Sequence, residues 1–243
     1  MIKEKEKLSV PFVAMGMLFC VSLVTSNLLE TKLFHVWGSI NLTCGFIVFP
    51  VSYILNDCIA EVWGFRKSRF IIWLGSLMNF FVVVLGLIAC ALPPIEPGAD
   101  ESFKNVFGFA PQIVVASFTA FIVGSFLNAW VMSRMKLADR GKNKYNLRFS
   151  LRAILSTIVG ESADSLIFFP LAFYLIPLLI EGTPKVSFSL LLSLMITQVI
   201  AKTLYEIVAL PLTIRVVKYI KKIDNSDVYD DTVSYNPLKI KQL

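Results

Sequence analysis

Histidine is nearly missing from this chain. His35 is the only one, so the His-Glu-x-x-His helix of a zinc protease cannot be assembled. The cysteines, Cys20, Cys44, Cys58 and Cys90, fall inside apolar segments. They show neither the paired spacing of a metal site nor the framework of a small secreted domain. They read as structural thiols, and neither a metal nor a cofactor is expected. No phosphate-binding glycine loop is present, which leaves the chain without an ATPase of its own. Asp57 and Asp164 superficially match the two aspartates of an intramembrane protease, but that enzyme needs Gly-x-Gly-Asp at the second position, where this sequence has "GESAD".

Charge is the larger deficit. Only 16% of the residues are charged, 56% are hydrophobic and 20 are Phe, and the mean hydropathy is +0.71, far from the balanced usage of soluble domains. This is the composition of an integral membrane protein. The formal net charge of +6 would suit a nucleic-acid surface only on a soluble fold, and little sequence lies outside the apolar runs. Membrane lipid, not nucleic acid, is the expected surroundings.

A hydrocarbon core about 30 Å thick takes about 20 apolar helical residues to cross. Six stretches qualify: Val10 to Leu29, Asn41 to Val62, Phe70 to Leu92, Gln112 to Met132, Leu151 to Leu178 and Phe188 to Val217. The first is too long for a signal peptide and lacks a small-residue cleavage site, so it counts as an uncleaved span. The expected fold class is therefore an all-α integral membrane protein with six transmembrane helices. Three plus three would make any structural repeat inverted in the membrane.

Lys and Arg divide unevenly among the loops. Three lie before span one, three after span two (Arg66, Lys67, Arg69), seven between Arg134 and Arg152, and six from Arg215 onward. The alternate loops hold one each, Lys32, Lys104 and Lys185, and Lys202 lies within span six. This 19 to 3 bias predicts that both termini are cytoplasmic. The domain reading is a cytoplasmic tail over residues 1–9, a six-helix transmembrane domain over 10–217 and a polar tail over 218–243. That last tail lacks helical periodicity and is expected to be disordered.

Several charged residues lie inside the apolar runs. Asp57 and Glu61 are four apart and share a helix face, and Glu161 and Asp164 do the same at a spacing of three. Gln198, Lys202 and Glu206 make a stripe on span six. Each charge at a helix centre costs about 2.5 to 3.5 kcal/mol, so partners or a wet cavity must offset it. The acidic groups exceed Lys202 by four formal charges, or by three if Arg152 is admitted from the end of span five. For a lone Lys202–Glu206 pair, or for Asn27, Asn79 or Asn128, the ordinary reading is interhelical glue. Five carboxylates on three spans argue instead for a site that takes protons, a cation or a donor-rich ligand. Phe49, Tyr53, Trp63, Trp73, Phe168, Phe169 and Phe173 lie near these positions in sequence and offer faces on which a flat ligand can stack, although most Phe in such a chain pack or face lipid. Ser117, Ala120 and Gly124 form a small-residue face suited to close helix approach, a packing signal.

The runs "FPVSYILNDCIAEVWGFRKSR", "FGFAPQIVVASFTAFIVGSFLNAW" and "LRAILSTIVGESADSLIFFPLAF" resemble the queuosine precursor transporter family of the vitamin uptake transporter group. The resemblance extends from about Ser26 to Leu210, and its specific parts are the Asp57/Glu61 segment and the spacing of Arg152, Ser156, Gly160, Asp164 and Phe168. It implies a six-helix, multi-pass protein of the bacterial inner membrane. Such a protein imports 7-deazaguanines such as preQ0, preQ1 or queuine for tRNA modification. The chain departs from the family pattern at Gln112, where a basic residue is expected, and at Glu161, where an amide is common.

A guanine-like edge presents an N–H and an amino group side by side, which one carboxylate accepts in bidentate fashion. The expected substrate contacts are Asn56, Asp57, Glu61, Glu161, Asp164, Gln198, Lys202, Glu206, Arg152 and Phe168. Of these, Asp57, Glu61 and Asp164 form the heart. Three functions follow for testing: a secondary transporter with protons as candidate coupling ion, a substrate-capture subunit of an ATP-energised uptake system, and an intramembrane enzyme. The first fits best, and the oligomeric state is left open.

Overall fold

The computed structural model describes residues 9–29, 32–36, 40–96, 98, 100–107, 111–175 and 187–239. Helix α1, Val10–Leu29, coincides with the first expected span. It starts after Ser9, whose hydroxyl oxygen accepts the Phe12 N–H at 3.3 Å, an N-terminal cap. Two short strands follow, β1, Leu33–Val36, and β2, Ile40–Thr43, paired antiparallel with Leu33 opposite Thr43. A 3₁₀ turn over Cys44–Ile47 leads into α2, Phe49–Ala91.

The helix expected from Asn41 thus begins only at Phe49. Pro50 supplies the reason. It lacks an N–H and its ring clashes with the carbonyl four residues back, so proline suits the first turn of a helix, whereas in the interior it costs a hydrogen bond and favours a kink. Apart from the two strands, the regular structure of the described residues is helical, as expected.

A straight helix of 43 residues would be about 65 Å long. α2 instead reverses at Gly64, whose φ of 81° and ψ of 175° are non-helical. Ser68 donates to Asn56 Oδ1 at 2.5 Å, although these residues would be about 18 Å apart in an unbroken helix. The two arms, 49–63 and 65–91, hold the second and third expected spans.

The remaining helices are α3, Glu101–Phe107, α4, Pro111–Ala138, α5, Tyr145–Pro170, which ends in a π turn over Leu171–Leu175, and α6, Phe188–Asp224. α4 and α6 outrun the expected ends at Met132 and Val217, and α5 starts before Leu151. Hydropathy marks only the part of a helix that suits oil, while the backbone hydrogen bonds continue into polar sequence. The expected residues 176–178 of span five lie outside the described residues. Among the described residues, five helical segments are long and apolar enough to cross a membrane: Val10–Leu29, Cys44–Ala91, Val115–Ala138, Tyr145–Leu175 and Leu191–Asp224. The second of these contains the reversal.

α1 lies along the second arm of α2. Phe12 meets Trp63 edge-on at 5.2 Å, and Asn27 donates to Asn79 at 2.8 Å at the far end. α4 runs beside both arms, with Asn56 donating to Asn128 at 2.8 Å and Phe118 lying 6.1 Å from Phe80. α4 and α5 cross at Gly124 and Gly160. A Cβ on Gly124 would lie 2.8 Å from the Gly160 carbonyl oxygen, and one on Gly160 would lie 2.9 Å from the Gly124 oxygen. The small-residue face is therefore a helix crossing, as its sequence suggested.

Residues 218–239 differ from the expected disordered tail, whose last residues, 240–243, lie outside the described residues. α6 continues to Asp224, and the residues after it run over the Gly64 end of the bundle. Asp230 Oδ2 accepts the Phe65 N–H at 2.9 Å and also bonds the Ser133 hydroxyl. Arg69 donates to the carbonyls of Ser234 and Asn236 at 3.0 and 2.9 Å, and Trp73 donates to that of Pro237 at 3.0 Å. Breaking α2 frees backbone groups at the reversal, and this polar segment meets them.

Candidate functional site

The charged residues singled out from the sequence fall into two layers. One is a cluster of buried charged side chains, called the chamber below, between the first arm of α2, α5 and α6. Asp57 is fully buried there, and the Ser156 hydroxyl lies 3.1 Å from each of its carboxylate oxygens. Lys202 donates to Glu161 Oε2 at 2.7 Å and stands 3.9 Å from Asp164 Oδ2. Its ammonium also lies 3.9 Å from the centroid of the Phe49 ring, a cation–π contact. The Tyr53 ring follows 5.6 Å from that of Phe49.

Glu206 completes the chamber beside Asp57 and Thr157. It is 2% exposed, and neither of its oxygens is met by a donor at hydrogen-bonding geometry among the described residues. Glu161 Oε1 and the Tyr53 hydroxyl are likewise buried without such a partner. Among the described residues, four carboxylates therefore share one ammonium, a net of three negative charges at full ionisation. Gln198 lies half-buried one turn before Lys202. Phe168 is half-buried in a ring cluster with Phe169 at 5.3 Å and Phe173 at 5.8 Å.

The second layer is nearer the Gly64 end. Glu61, one turn beyond Asp57, is held by Arg152 at 2.9 Å, Lys221 at 2.7 Å and the Tyr145 hydroxyl at 3.3 Å. Arg152 reaches on to Asp139 at 3.1 Å. Lys136 donates to the backbone carbonyl of Glu61 and pairs with Asp227 at 2.7 Å. Glu61, Lys136, Asp139, Tyr145, Arg152 and Tyr229 line a small cavity of about 60 Å³.

Two carboxylates in this layer lie outside the membrane-spanning helices. Burial pushes the Asp227 pKa up, but hydrogen bonds from Lys136 and Lys221 outweigh it and hold it below the ordinary carboxylate value. Burial likewise opposes ionisation of Asp139, and Arg148, Arg152 and Lys142 overcome it.

Asp57, Glu161, Asp164, Lys202 and Glu206 therefore come together. Glu61 and Arg152 face one another in the neighbouring layer, with their charges already matched. Asn56 ties three segments, donating to the Ser125 carbonyl and Asn128 while accepting from Ser68. Trp63 donates to Asp224 and Trp73 packs on Phe126 at 5.8 Å, both away from the chamber. The partners Lys221, Lys136 and Tyr145 escaped the sequence reading. Lys136 and Lys221 had counted only toward topology, and nothing local in sequence marks which basic residue turns inward. The side chain of Gln112 lies outside the described residues.

Long apolar helices enclosing a buried, charged chamber define a multi-pass membrane protein. The family described as "Putative vitamin uptake transporter" matches residues 43–216, and the chain belongs to that family. It is similar to a protein of Bacillus subtilis (strain 168) named "Probable queuosine precursor transporter", 26% identical over 173 residues covering 67% of this chain and 70% of the relative. A Haemophilus influenzae (strain ATCC 51907 / DSM 11121 / KW20 / Rd) protein with the same name is 26% identical over 136 residues, 56% of this chain and 54% of the relative. No solved structure matches the chain. The family resemblance read from the Asp57/Glu61 and Arg152 to Phe168 segments is borne out.

Proposed function

We propose that this protein imports queuosine precursors, 7-deazaguanines such as preQ0, preQ1 or queuine, across the bacterial inner membrane as a secondary transporter. The two named relatives support the substrate class. The observation that carries the site is the chamber, where Glu161 and Asp164 lie beside the Lys202 ammonium and the Phe49 and Tyr53 rings, with Glu161 Oε1 buried and without a hydrogen-bond partner among the described residues. A 7-deazaguanine brings what such a site needs. Its adjacent N–H and amino groups suit one carboxylate, its flat ring suits an aromatic face, and an aminomethyl group suits a second carboxylate.

In this reading Asp57, Glu161, Asp164 and Lys202 form the binding site, with Gln198 and Phe168 at its edge; Glu206 adjoins it beside Asp57 without touching substrate. Glu61, Arg152 and Asn56 hold the helices beneath it. The Gly64 end, the α4–α5 loop and both termini face the cytoplasm, in keeping with the 19 to 3 bias of Lys and Arg. A buried site requires the helices to part on one side at a time, the alternating access of secondary transporters, and an inverted relation between the two halves would supply it. Protons are the coupling ion of this proposal, because the surplus negative charge of the chamber must be met when no substrate is bound.

Uptake of labelled preQ1 into proteoliposomes containing this chain alone, with and without an imposed pH gradient, tests the proposal. Gradient-stimulated accumulation is expected. Binding without uptake would assign the chain to substrate capture for a separate energising module.

A further inference from the structure

We infer that Lys202 occupies the place of the substrate when the chamber is empty, and that Glu206 receives its ammonium when substrate arrives. The inference rests on reading the chamber as the substrate site. The ammonium is bonded to Glu161 at 2.7 Å, lies 3.9 Å from Asp164 and stands over the Phe49 ring. A ring face flanked by carboxylates is the recognition surface that a flat, donor-rich ligand would use. Ligand and ammonium cannot both use it.

An ammonium displaced from Glu161 still favours a carboxylate that balances its charge, since lipid offers none. Glu206 is one turn further along the same helix, and side chains four residues apart on a helix are neighbours. The four-carbon stem of lysine is flexible enough to swing between them. Glu206 is also buried beside Thr157 and Asp57, with neither oxygen met by a donor at hydrogen-bonding geometry among the described residues, a costly state for a carboxylate with no further purpose. One ammonium with two carboxylate positions makes a two-state element whose balance the substrate shifts. Lys202 is then a specificity-determining residue. A heterocycle displaces it only by bringing donors to replace those Glu161 loses, so an acceptor-only analogue of the same shape is refused.

Calorimetric binding of preQ0 and preQ1 to the purified chain tests this through Glu206→Gln, Lys202→Met and the double variant. Glu206→Gln is expected to weaken binding by about tenfold or more, because the ammonium has lost its second position. In the Lys202→Met background the same change should alter affinity by less than about twofold, since coupled residues are non-additive. A direct ligand contact by Glu206 predicts the full loss in both backgrounds and would overturn the inference, as would wild-type affinity in Glu206→Gln.

Glu206→Asp decides the matter even where Lys202→Met does not fold. It keeps a charge for Lys202 but withdraws from any ligand contact. Near wild-type affinity supports the switch, and a loss equal to that of Glu206→Gln refutes it. If neither compound binds the unaltered protein, the chamber is not the site for these substrates, a failure distinct from that of the switch.

Discussion

Asp230 accepts the backbone N–H of Phe65 at 2.9 Å across 165 residues of chain. Phe65 is the first residue of the second arm of α2, and a carboxylate at a helix start satisfies a donor that the helix itself cannot. Gly64 just before it has φ 81°, and a Cβ there would lie 2.7 Å from Asp230 Oδ1. Reversal and cap form one unit.

Asp230→Ala should therefore destabilise the protein by about 1 to 3 kcal/mol, the cost of losing charge-assisted bonds and leaving a buried donor unmet. The melting temperature in detergent is the measurement. An unchanged value would mean that the tail lies on the bundle without supporting it.

The separation of the chamber from the Glu61 layer gives opposite expectations for neighbouring acids. Asp57→Asn and Asp164→Asn keep shape but lose a carboxylate that faces the chamber. Each should weaken preQ1 binding by about 30-fold to 1000-fold while membrane insertion persists. Glu61→Gln instead leaves Arg152 and Lys221 without their shared counter-charge, so it should lower the melting temperature and leave affinity within about threefold of wild type. Wild-type affinity in both aspartate variants would turn the acidic faces into bundle architecture.

The depressed pKa of Asp227 sets a pH dependence. A carboxylate whose folded pKa lies below its unfolded value of about 3.9 adds stability that is fully present above that value and lost as pH falls through the folded one. The difference in melting temperature between wild type and Asp227→Asn should be constant from about pH 7 to 5 and shrink below about pH 4. A difference that grows on acidification would contradict the ion pairs with Lys136 and Lys221.

The proposed orientation is checked at Asn143, in the loop between α4 and α5. A single cysteine placed there, with the four native cysteines replaced, should react with a membrane-impermeant maleimide in inside-out vesicles and not in intact cells. Labelling in intact cells would reverse the topology.

By itself the sequence determined the membrane class, the approximate place of the apolar runs, the family and the five acidic candidates. These follow from composition and from the cost of charge in oil, which act locally along the chain. Even the late start of α2 was legible at Pro50, though a hydropathy window hid it. Tertiary structure decided which charges are matched. Glu61 and Asp57 share a helix face, yet one is closed by Arg152 and Lys221 while the other opens on the chamber, because the partners come from helices 91 and 160 residues away. It also decided the fate of the C-terminal segment, whose polarity suggested disorder. The reversal at Gly64 exposes backbone groups that only a polar segment can satisfy, and that need exists only in the folded chain.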